Sequence, residues 1–198
     1  MKPGQSYFDL PGLAPLDAVL VAHHYLHSVP SGKSWYFDVD CAVVCYSIPA
    51  NKNIARFLLG EELTVLELSR LWAPDGHEPN LLTRAISQSL KQLRFAVPEL
   101  SAVVSYADPN VGHTGGVYRA ASWIYTGQTT EPRYYKTASG QTVARRKFHS
   151  GNRQLTASEI ELAGYTMTSL PGKHRYAHGL TSIARKLLRQ RFEGVAHA

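Results

Sequence analysis

Cysteine is scarce in this sequence, which contains only Cys41 and Cys45 among 198 residues. The spacing of four would put both on one face of a predicted strand, too far apart to form a disulfide. They therefore indicate reduced thiols in the core of a cytosolic protein. The second cysteine pair that a zinc knuckle would need is absent.

Long apolar segments are also missing. The uninterrupted apolar runs, such as Ala18 to Ala22, are far too short to span a bilayer. The first thirteen residues, MKPGQSYFDLPGL, lack the charged segment and apolar core of a secretory signal. We therefore expect no contact with a membrane and a location in the cytoplasm.

Acidic residues are few in the last third of the chain. Residues 1–132 hold nine Lys and Arg against twelve Asp and Glu, whereas residues 133–198 hold twelve against three. The +6 formal charge is thus a −3 body with a +9 end, which is typical of proteins that bind nucleic acid. A merely solvated basic tail is the alternative. Interleaved aromatic residues favour nucleic acid because they can stack on bases: Tyr134, Tyr135, Phe148, Tyr165 and Tyr176.

With 44% hydrophobic residues, the chain can bury one sizeable core. We expect a catalytic body over 1–132, in which the proline-rich residues 1–15 form a loose arm. Residues 133–198 are expected to be a basic extension packed on the same domain. The cations predicted to contact DNA phosphates are Arg145, Arg146, Lys147, Lys173, Arg175 and those of a helix over about 181–192.

Hydrophobic periodicity predicts a mixed α/β fold. The expected elements are a helix to about His27, a hairpin over 34–48 with its turn at 38–40, a connector over 51–60, a strand from Leu63 to Trp72, a helix from Asn80 to about Phe95, a strand from Leu100 to Tyr106 and a helix from Val117 to Tyr125.

The stretch from Val103 to Gly127 is the strongest candidate for a site. A buried strand ends there in a glycine-rich bend, and ligands collect where a strand end meets the next helix. An ordinary Asx-Pro turn is the alternative. The polar residues gathered in this stretch are Ser105, Tyr106, Asp108, Asn110, His113, Thr114 and Tyr118.

Two further features are open to more than one interpretation. His23 and His27, four apart on a predicted helix, could hold a metal or simply suit the negative end of the helix dipole. Glu67, a carboxylate amid apolar strand residues, is either paired with Arg70 or part of a site.

Two strands flanking a helix, with a second helix following, are also the core of the GNAT acyltransferase fold. In that fold two parallel strands splay apart around the pantetheine arm of acyl-CoA. Four segments resemble the Mom-like DNA modification proteins of bacteriophages: HHYLHSVPSGKSWYFDV, LELSRLWAPDG with the helix TRAISQSLKQLR, VVSYADPNVGHTGGVYRAASWIYTG, and GKHRYAHGL.

The resemblance implies a GNAT-like enzyme that places a carbamoylmethyl group on the exocyclic amine of adenine in double-stranded phage DNA. Such an enzyme would protect that DNA from host restriction and would flip the target base out of the duplex. The residues carried across are His24, Tyr25, Glu67, Arg70, Ser105, Tyr106 and Asp108, with His113, Tyr118 and Tyr125 as secondary candidates. Asp108 or His24 is expected to act as the base, and Tyr106 or Ser105 to orient the adenine.

Two departures leave the donor open. The loop Ala73–Asn80, which corresponds to the GNAT pyrophosphate loop, has one glycine, two acids and two prolines, and this composition disfavours the pyrophosphate of acyl-CoA. A carbamoylmethyl product also has a CH₂ on nitrogen, which acetyl transfer does not give. A redox metal such as iron, held by His23 and His24 with Asp108, would allow a transfer chemistry other than acyl transfer. A GNAT-type N-acyltransferase on a small amine or protein, and a non-catalytic DNA-binding protein, are the alternative functions.

Overall fold

The computed structural model describes residues 16–131, 133–144, 147–150 and 152–195. Their six helices are α1 Leu16–His23, α2 Ile54–Leu59, α3 Leu81–Ala96, α4 Gly116–Ala120, α5 Ala157–Leu162 and α6 Ser182–Phe192. The strands are β1 Ser34–Val39, β2 Ala42–Ser47, β3 Thr64–Trp72, β4 Leu100–Ala107, β5 Ile124–Gln128, β6 Arg133–Lys136, β7 Thr142–Ala144, β8 His149–Ser150, β9 Arg153–Gln154, β10 Thr166–Ser169 and β11 His174–Gly179.

Six strands form the main sheet in the order β1-β2-β3-β4-β11-β5. The pair β3 and β4 is parallel, and the other neighbouring pairs of this sheet are antiparallel. The parallel pair is joined by α3, whose amphipathic sequence covers one face of the sheet. The predicted mixed α/β class is confirmed, as are the hairpin, both central strands, the helix between them and the last helix.

Helices cover both faces of this sheet. On one face α3 and α4 pack against a large cluster that contains Tyr46, Leu68 and Tyr176. On the other face α2 and α6 enclose Val65, Val104 and their neighbours, and α1 packs on Val43 and Cys45. Cys41 lies in the β1–β2 turn and Cys45 in β2, and both are free thiols.

The helix predicted from Val117 to Tyr125 is wrong beyond its first turn. The chain leaves the helix at Ser122, whose φ of 59° lies in the left-handed region, and Trp123 N–H donates back to the Tyr118 carbonyl. Ile124, Tyr125 and Thr126 then form β5, because these β-branched and aromatic residues pair with β11. Burial against a neighbouring strand therefore outweighs the helical spacing.

Two other boundaries differ from the prediction. The first helix ends at His23 rather than His27, which has a φ of 45°. The prediction that His23 and His27 share a helix face is therefore wrong. The connector predicted over 51–60 contains α2, which ends at Gly60 in the left-handed conformation.

The described residues between β5 and β11 form a small lobe with its own three-stranded sheet, β10-β6-β7, and helix α5. Its neck is closed by two hydrogen bonds of 2.9 Å, from Thr129 N–H to the Lys173 carbonyl and from Lys173 N–H to Thr129 Oγ1. After the lobe, the chain returns as β11 between β4 and β5. Part of the basic segment is thus a central strand of the main sheet.

None of the described helices, of which α3 is the longest at 16 residues, is long and apolar enough to cross a membrane.

Candidate functional site

The parallel strands β3 and β4 separate at their carboxyl ends. Their pairing ends at Leu68 opposite Ser105, although β3 continues to Trp72 and β4 to Ala107. On its other side β3 has a bulge at Ser69, between the positions that pair with Cys45 and Tyr46. The gap that results opens into a cavity of about 260 Å³.

Residues from several separate parts of the chain line this cavity. His24 and Tyr25 come from the turn after α1, Tyr106 from β4, and His113 and Tyr118 from the segment after β4. These five predicted site residues are brought together, although they span almost one hundred positions of the sequence. The further lining residues are Leu68, Ser69, Leu71, Leu82, Ala107, Thr114, Gly115, Gly116 and Val117.

Aromatic contacts hold Tyr25 over the cavity. Its ring lies 4.5 Å from that of His24 and meets His113 edge to face at 5.0 Å. Burial raises the pKa of Tyr25, so its hydroxyl is protonated at neutral pH. Tyr25 can therefore present both an aromatic face and a hydrogen-bonding group to a ligand.

Ser105 links the two separated strands beneath the cavity. Its Oγ lies 2.8 Å from the Leu68 carbonyl oxygen and 2.8 Å from the Tyr118 hydroxyl. Because a carbonyl only accepts, the serine proton points to Leu68, and the Tyr118 hydroxyl donates to Ser105. Burial raises the pKa of Tyr118 to about 12. Ser105 thus positions Tyr118, whose oxygen keeps a lone pair for a donor in the cavity.

His24 is buried and electrically neutral. Its Nδ1 accepts a hydrogen bond from Leu26 N–H at 3.2 Å, which leaves the proton on Nε2. Burial, aided by the positive charge of Arg70 and by the nearby histidines, lowers its pKa to about 4. His24 is therefore arranged to donate through Nε2, and the geometry disfavours the predicted role as a base.

Asp108 belongs to the turn that follows β4, and it does not line the cavity. Its Oδ1 accepts from Asn110 N–H at 3.0 Å and from Asn110 Nδ2 at 2.8 Å, and its Oδ2 lies 3.0 Å from Lys173 Nζ. Burial acts to raise the pKa of Asp108, but the hydrogen bonds from Lys173 and Asn110 outweigh it and hold the pKa below its usual value. This carboxylate is a weak base that shapes the loop and ties it to the neck of the lobe.

The pKa of Glu67 is shifted in the opposite direction to that of Asp108. Burial raises the pKa of Glu67, although the charges of Arg70 and Lys173 act against this shift. Within the described part of the chain no hydrogen bond or ion pair reaches its carboxylate. Like Asp108, Glu67 does not line the cavity, but it lies next to Leu68, which does. Burial raises the pKa of Tyr106 and of Tyr118, two walls of the cavity, and the charge of Glu67 adds to both shifts.

Arg70 does not form an ion pair with Glu67 among the described residues. Its Nε donates to the Ser28 carbonyl at 2.9 Å, and its Nη1 donates to the Ser69 carbonyl at 2.7 Å. The guanidinium therefore fixes the turn after α1 against β3, which places His24 and Tyr25. The predicted Glu67–Arg70 pair, one of two interpretations, is wrong for this reason.

The other predicted residues lie outside the cavity. Arg175 donates to the Thr126 side chain and carbonyl and stacks on Phe57, with Cζ 3.9 Å from the ring centre. Tyr125 packs on Tyr176 at 5.4 Å. Lys147 is exposed on the lobe, and Arg145 and Arg146 lie outside the described residues.

Gly115 and Tyr176 also shape this site, although no motif in the sequence indicates them directly. Gly115 has a φ of +76°, and a Cβ there would lie 2.3 Å from the Tyr176 ring. The Tyr176 hydroxyl donates to the Thr114 carbonyl at 3.2 Å. The double glycine at 115 and 116 is the signal that could have found them, because a bend that packs against a ring has no room for a side chain.

The donor set does not fit a metal ion. No group of three or more His, Cys, Asp or Glu among the described residues is arranged to hold one. His23 instead stacks on Trp72 at 5.2 Å, and Asp108 is engaged by Lys173 and Asn110. The loop before α3 contains the acidic residues Asp75 and Glu78, and Glu78 Oε2 lies 3.7 Å from Arg84 Nη2.

Comparison with known proteins identifies the family. The Mom protein family matches residues 16–194, and the chain belongs to this family. The methylcarbamoylase mom of Escherichia phage Mu is 33% identical to it over 82 residues. That similarity covers 41% of this chain and 34% of the phage Mu protein, so the matched part is about one third of the relative's length.

Proposed function

We propose that this protein modifies DNA by placing a carbamoylmethyl group on the exocyclic amine of adenine. The proposal combines membership of the Mom family and the similarity to a phage methylcarbamoylase with the cavity between β3 and β4. The observation that carries it is the set of aromatic walls, Tyr25, Tyr106 and Tyr118, around a space of about 260 Å³. A single flipped base fits such a site better than a large cosubstrate would.

The cavity walls suit an adenine. Its ring can stack on Tyr25 or Tyr106, because tyrosine offers a flat apolar face. Its ring nitrogens are acceptors, which His24 Nε2–H can satisfy, and its amine is a donor, which the free lone pair of Tyr118 can receive. We infer that base flipping delivers the adenine from duplex DNA into this space.

The chemistry requires removal of one proton from the amine. The adenine nitrogen forms a bond to the CH₂ of a carbamoylmethyl donor as the bond from that CH₂ to its leaving group breaks, and the nitrogen loses a proton. We propose that Glu67 receives it, through one intervening hydroxyl or water, because burial raises its pKa against the charges of Arg70 and Lys173, and no described residue forms a hydrogen bond or ion pair with its carboxylate. Asp108 is held ionised by Lys173 and is poorly suited.

The fold we propose for this activity is GNAT-like. The support is the parallel pair β3–β4, which separates at its carboxyl ends and is joined by α3. The catalytic body and the basic segment would then share one sheet, in which β11 lies beside β4. Because the proposed substrate is phage DNA, we propose that the protein acts in the cytoplasm of the host, where it would protect that DNA from restriction.

The test is mass spectrometry of nucleosides from plasmid DNA of cells that express the chain. We expect a deoxyadenosine species heavier by one carbamoylmethyl group. Glu67→Gln should lower its yield by about 100-fold or more, since general-base catalysis contributes that much. Glu62→Gln is the matched control, because Glu62 lies on the surface in an exposed pair with Arg56.

The outcomes separate the alternatives. Unmodified DNA from cells with abundant folded protein would refute the proposal, and acetyl-CoA binding without DNA affinity would then indicate an acyltransferase. DNA binding without any modified base would indicate a binding protein. Equal yields from the Glu67 and Glu62 variants would remove Glu67 from the chemistry while leaving the modification itself established.

A further inference from the structure

A second groove lies beyond the α4 side of the cavity. It has a volume of about 420 Å³ and runs between α3, the turn after α4, the end of β11 and the start of α6. The residues that line it are Thr83, Ile86, Ser87, Leu90, Lys91, Arg94, Ala120, Ala121, Ser122, Trp123, His178, Leu180 and Arg185. It shares no lining residue with the cavity between β3 and β4.

The charge of this groove has one sign. Lys91 and Arg94 come from α3 and Arg185 comes from α6, and no Asp or Glu lines the groove. None of these three cations forms an ion pair with another described residue. Three like charges from two helices therefore border the groove, and an anion bound there would be attracted by all of them.

Trp123 is one of the residues that line the groove. Trp123 is 5% exposed, and its Nε1–H has no acceptor among the described residues. Its ring stacks on that of His178 at 5.7 Å, with the two planes 30° apart. Buried indole N–H groups usually have a partner, so an oxygen acceptor bound in the groove would complete this site.

We propose that this groove binds phosphate groups of the DNA backbone, with Lys91, Arg94 and Arg185 as the cations and Trp123 as a buried donor. The inference rests on the proposed function, because it takes DNA as the partner. The groove and the cavity are adjacent along two helices. On α3, Leu82 lines the cavity and Thr83 lines the groove. On α4, Tyr118 lines the cavity and Ala120 lines the groove. A strand held in the groove therefore passes beside the cavity that receives the base.

The experiment measures duplex DNA binding by fluorescence anisotropy at several salt concentrations, with the full chain. The variant is Lys91→Ala/Arg94→Ala, and the matched control is Lys33→Ala/Lys52→Ala, the same charge change at a cavity that shares no residue with the groove. We expect the groove variant to weaken binding at least tenfold. Its salt slope should fall by about 2, because each cation that neutralises a phosphate contributes about one released counterion. The control should show a far smaller change in both quantities.

A second measurement tests whether a small phosphorylated molecule is the occupant. Tryptophan fluorescence is recorded during titration with inorganic phosphate, and Trp123→Phe identifies the signal that comes from the groove. A groove variant that loses this response but binds DNA as the control does would overturn the DNA assignment in favour of a small phosphate. Loss of neither response would overturn the groove as a phosphate site.

The two proposals fail separately. If the wild-type chain modifies adenine in cells but the groove variant keeps both its DNA affinity and its salt slope, only the proposal of a phosphate-binding groove is refuted. A wild-type chain that binds duplex DNA through the groove but leaves adenine unmodified refutes the modification and supports the phosphate site.

Discussion

Replacing Gly115 by alanine tests the packing that shapes the cavity. Gly115 has a φ of +76°, and a Cβ there would lie 2.3 Å from Cε2 and from the hydroxyl oxygen of Tyr176. Both atoms belong to a fully buried side chain that cannot move aside without disturbing the sheet. The substitution should therefore strain the backbone and overpack the core at once.

The expected loss can be estimated from these two effects. A left-handed backbone costs a non-glycine residue about 1–2 kcal/mol, and overpacking a tight core costs about 1–3 kcal/mol. The lower conformational entropy of the unfolded alanine chain returns about 0.4–1 kcal/mol. We predict that Gly115→Ala lowers the free energy of unfolding by about 3 kcal/mol, a large fraction of the stability of an ordinary domain.

Gly112→Ala separates the two effects. Gly112 has a φ of +80° in the same loop, but a Cβ there would have no heavy atom within 4 Å. It should lose only about 1 kcal/mol, from backbone strain. Urea denaturation of both variants measures the difference, and Gly115→Ala/Tyr176→Leu should recover part of the loss because the shorter side chain makes room. Equal losses at the two glycines would refute the packing argument.

Four further substitutions test single groups. Burial raises the pKa of Glu67, so its ionisation opposes folding; Glu67→Gln should raise the midpoint of urea denaturation at pH 7, and this gain should vanish as the pH falls below the ordinary glutamate pKa. Lys173→Ala should cost about 1 kcal/mol at neutral pH, because it removes a partly exposed ion pair. Because Asp108 has a lowered pKa, the pair stabilises above the ordinary aspartate pKa, and the wild type should lose this advantage over the variant as acid titrates Asp108. Ser89→Ala should cost about 1–3 kcal/mol by thermal or urea unfolding, because it leaves the buried Tyr46 hydroxyl without its 2.8 Å partner; Tyr46→Phe should cost less, since Ser89 still donates to a helix carbonyl. Equal losses for these last two would contradict the argument from the unpaired hydroxyl.

The sheet and its long helix could be predicted because their periodicity agrees with their burial. In α3 the apolar stripe of Ile86, Leu90 and Leu93 is the face that packs on the sheet. The strand before the glycine-rich bend was equally clear, since all but one residue of β4 are buried. Local pattern and tertiary packing favour the same structure in these segments.

The segment after the bend could not be predicted because its two influences conflict. Val117 to Tyr125 has helical spacing, but the partner that makes Ile124 to Gln128 a strand is β11, about fifty residues further on. A single sequence shows no sign of that pairing, and strand preference depends on such neighbours more than helix preference does.

The same dependence on distant groups changes the assignment of the base. In sequence, Asp108 and His24 are attractive because each stands in a polar segment, whereas Glu67 stands among apolar residues and invites a structural explanation. Folding brings Lys173 to Asp108, which lowers the pKa of this carboxyl, and the turn after α1 brings Leu26 N–H to His24, where it occupies the lone pair of Nδ1. Glu67 is left half-buried, its charge acts on two tyrosines of the cavity, and its carboxylate has no described hydrogen-bond or ion-pair partner. A carboxylate that gains nothing in stability from its position is best explained by a function there, and we propose that this function is to accept the proton of the adenine amine.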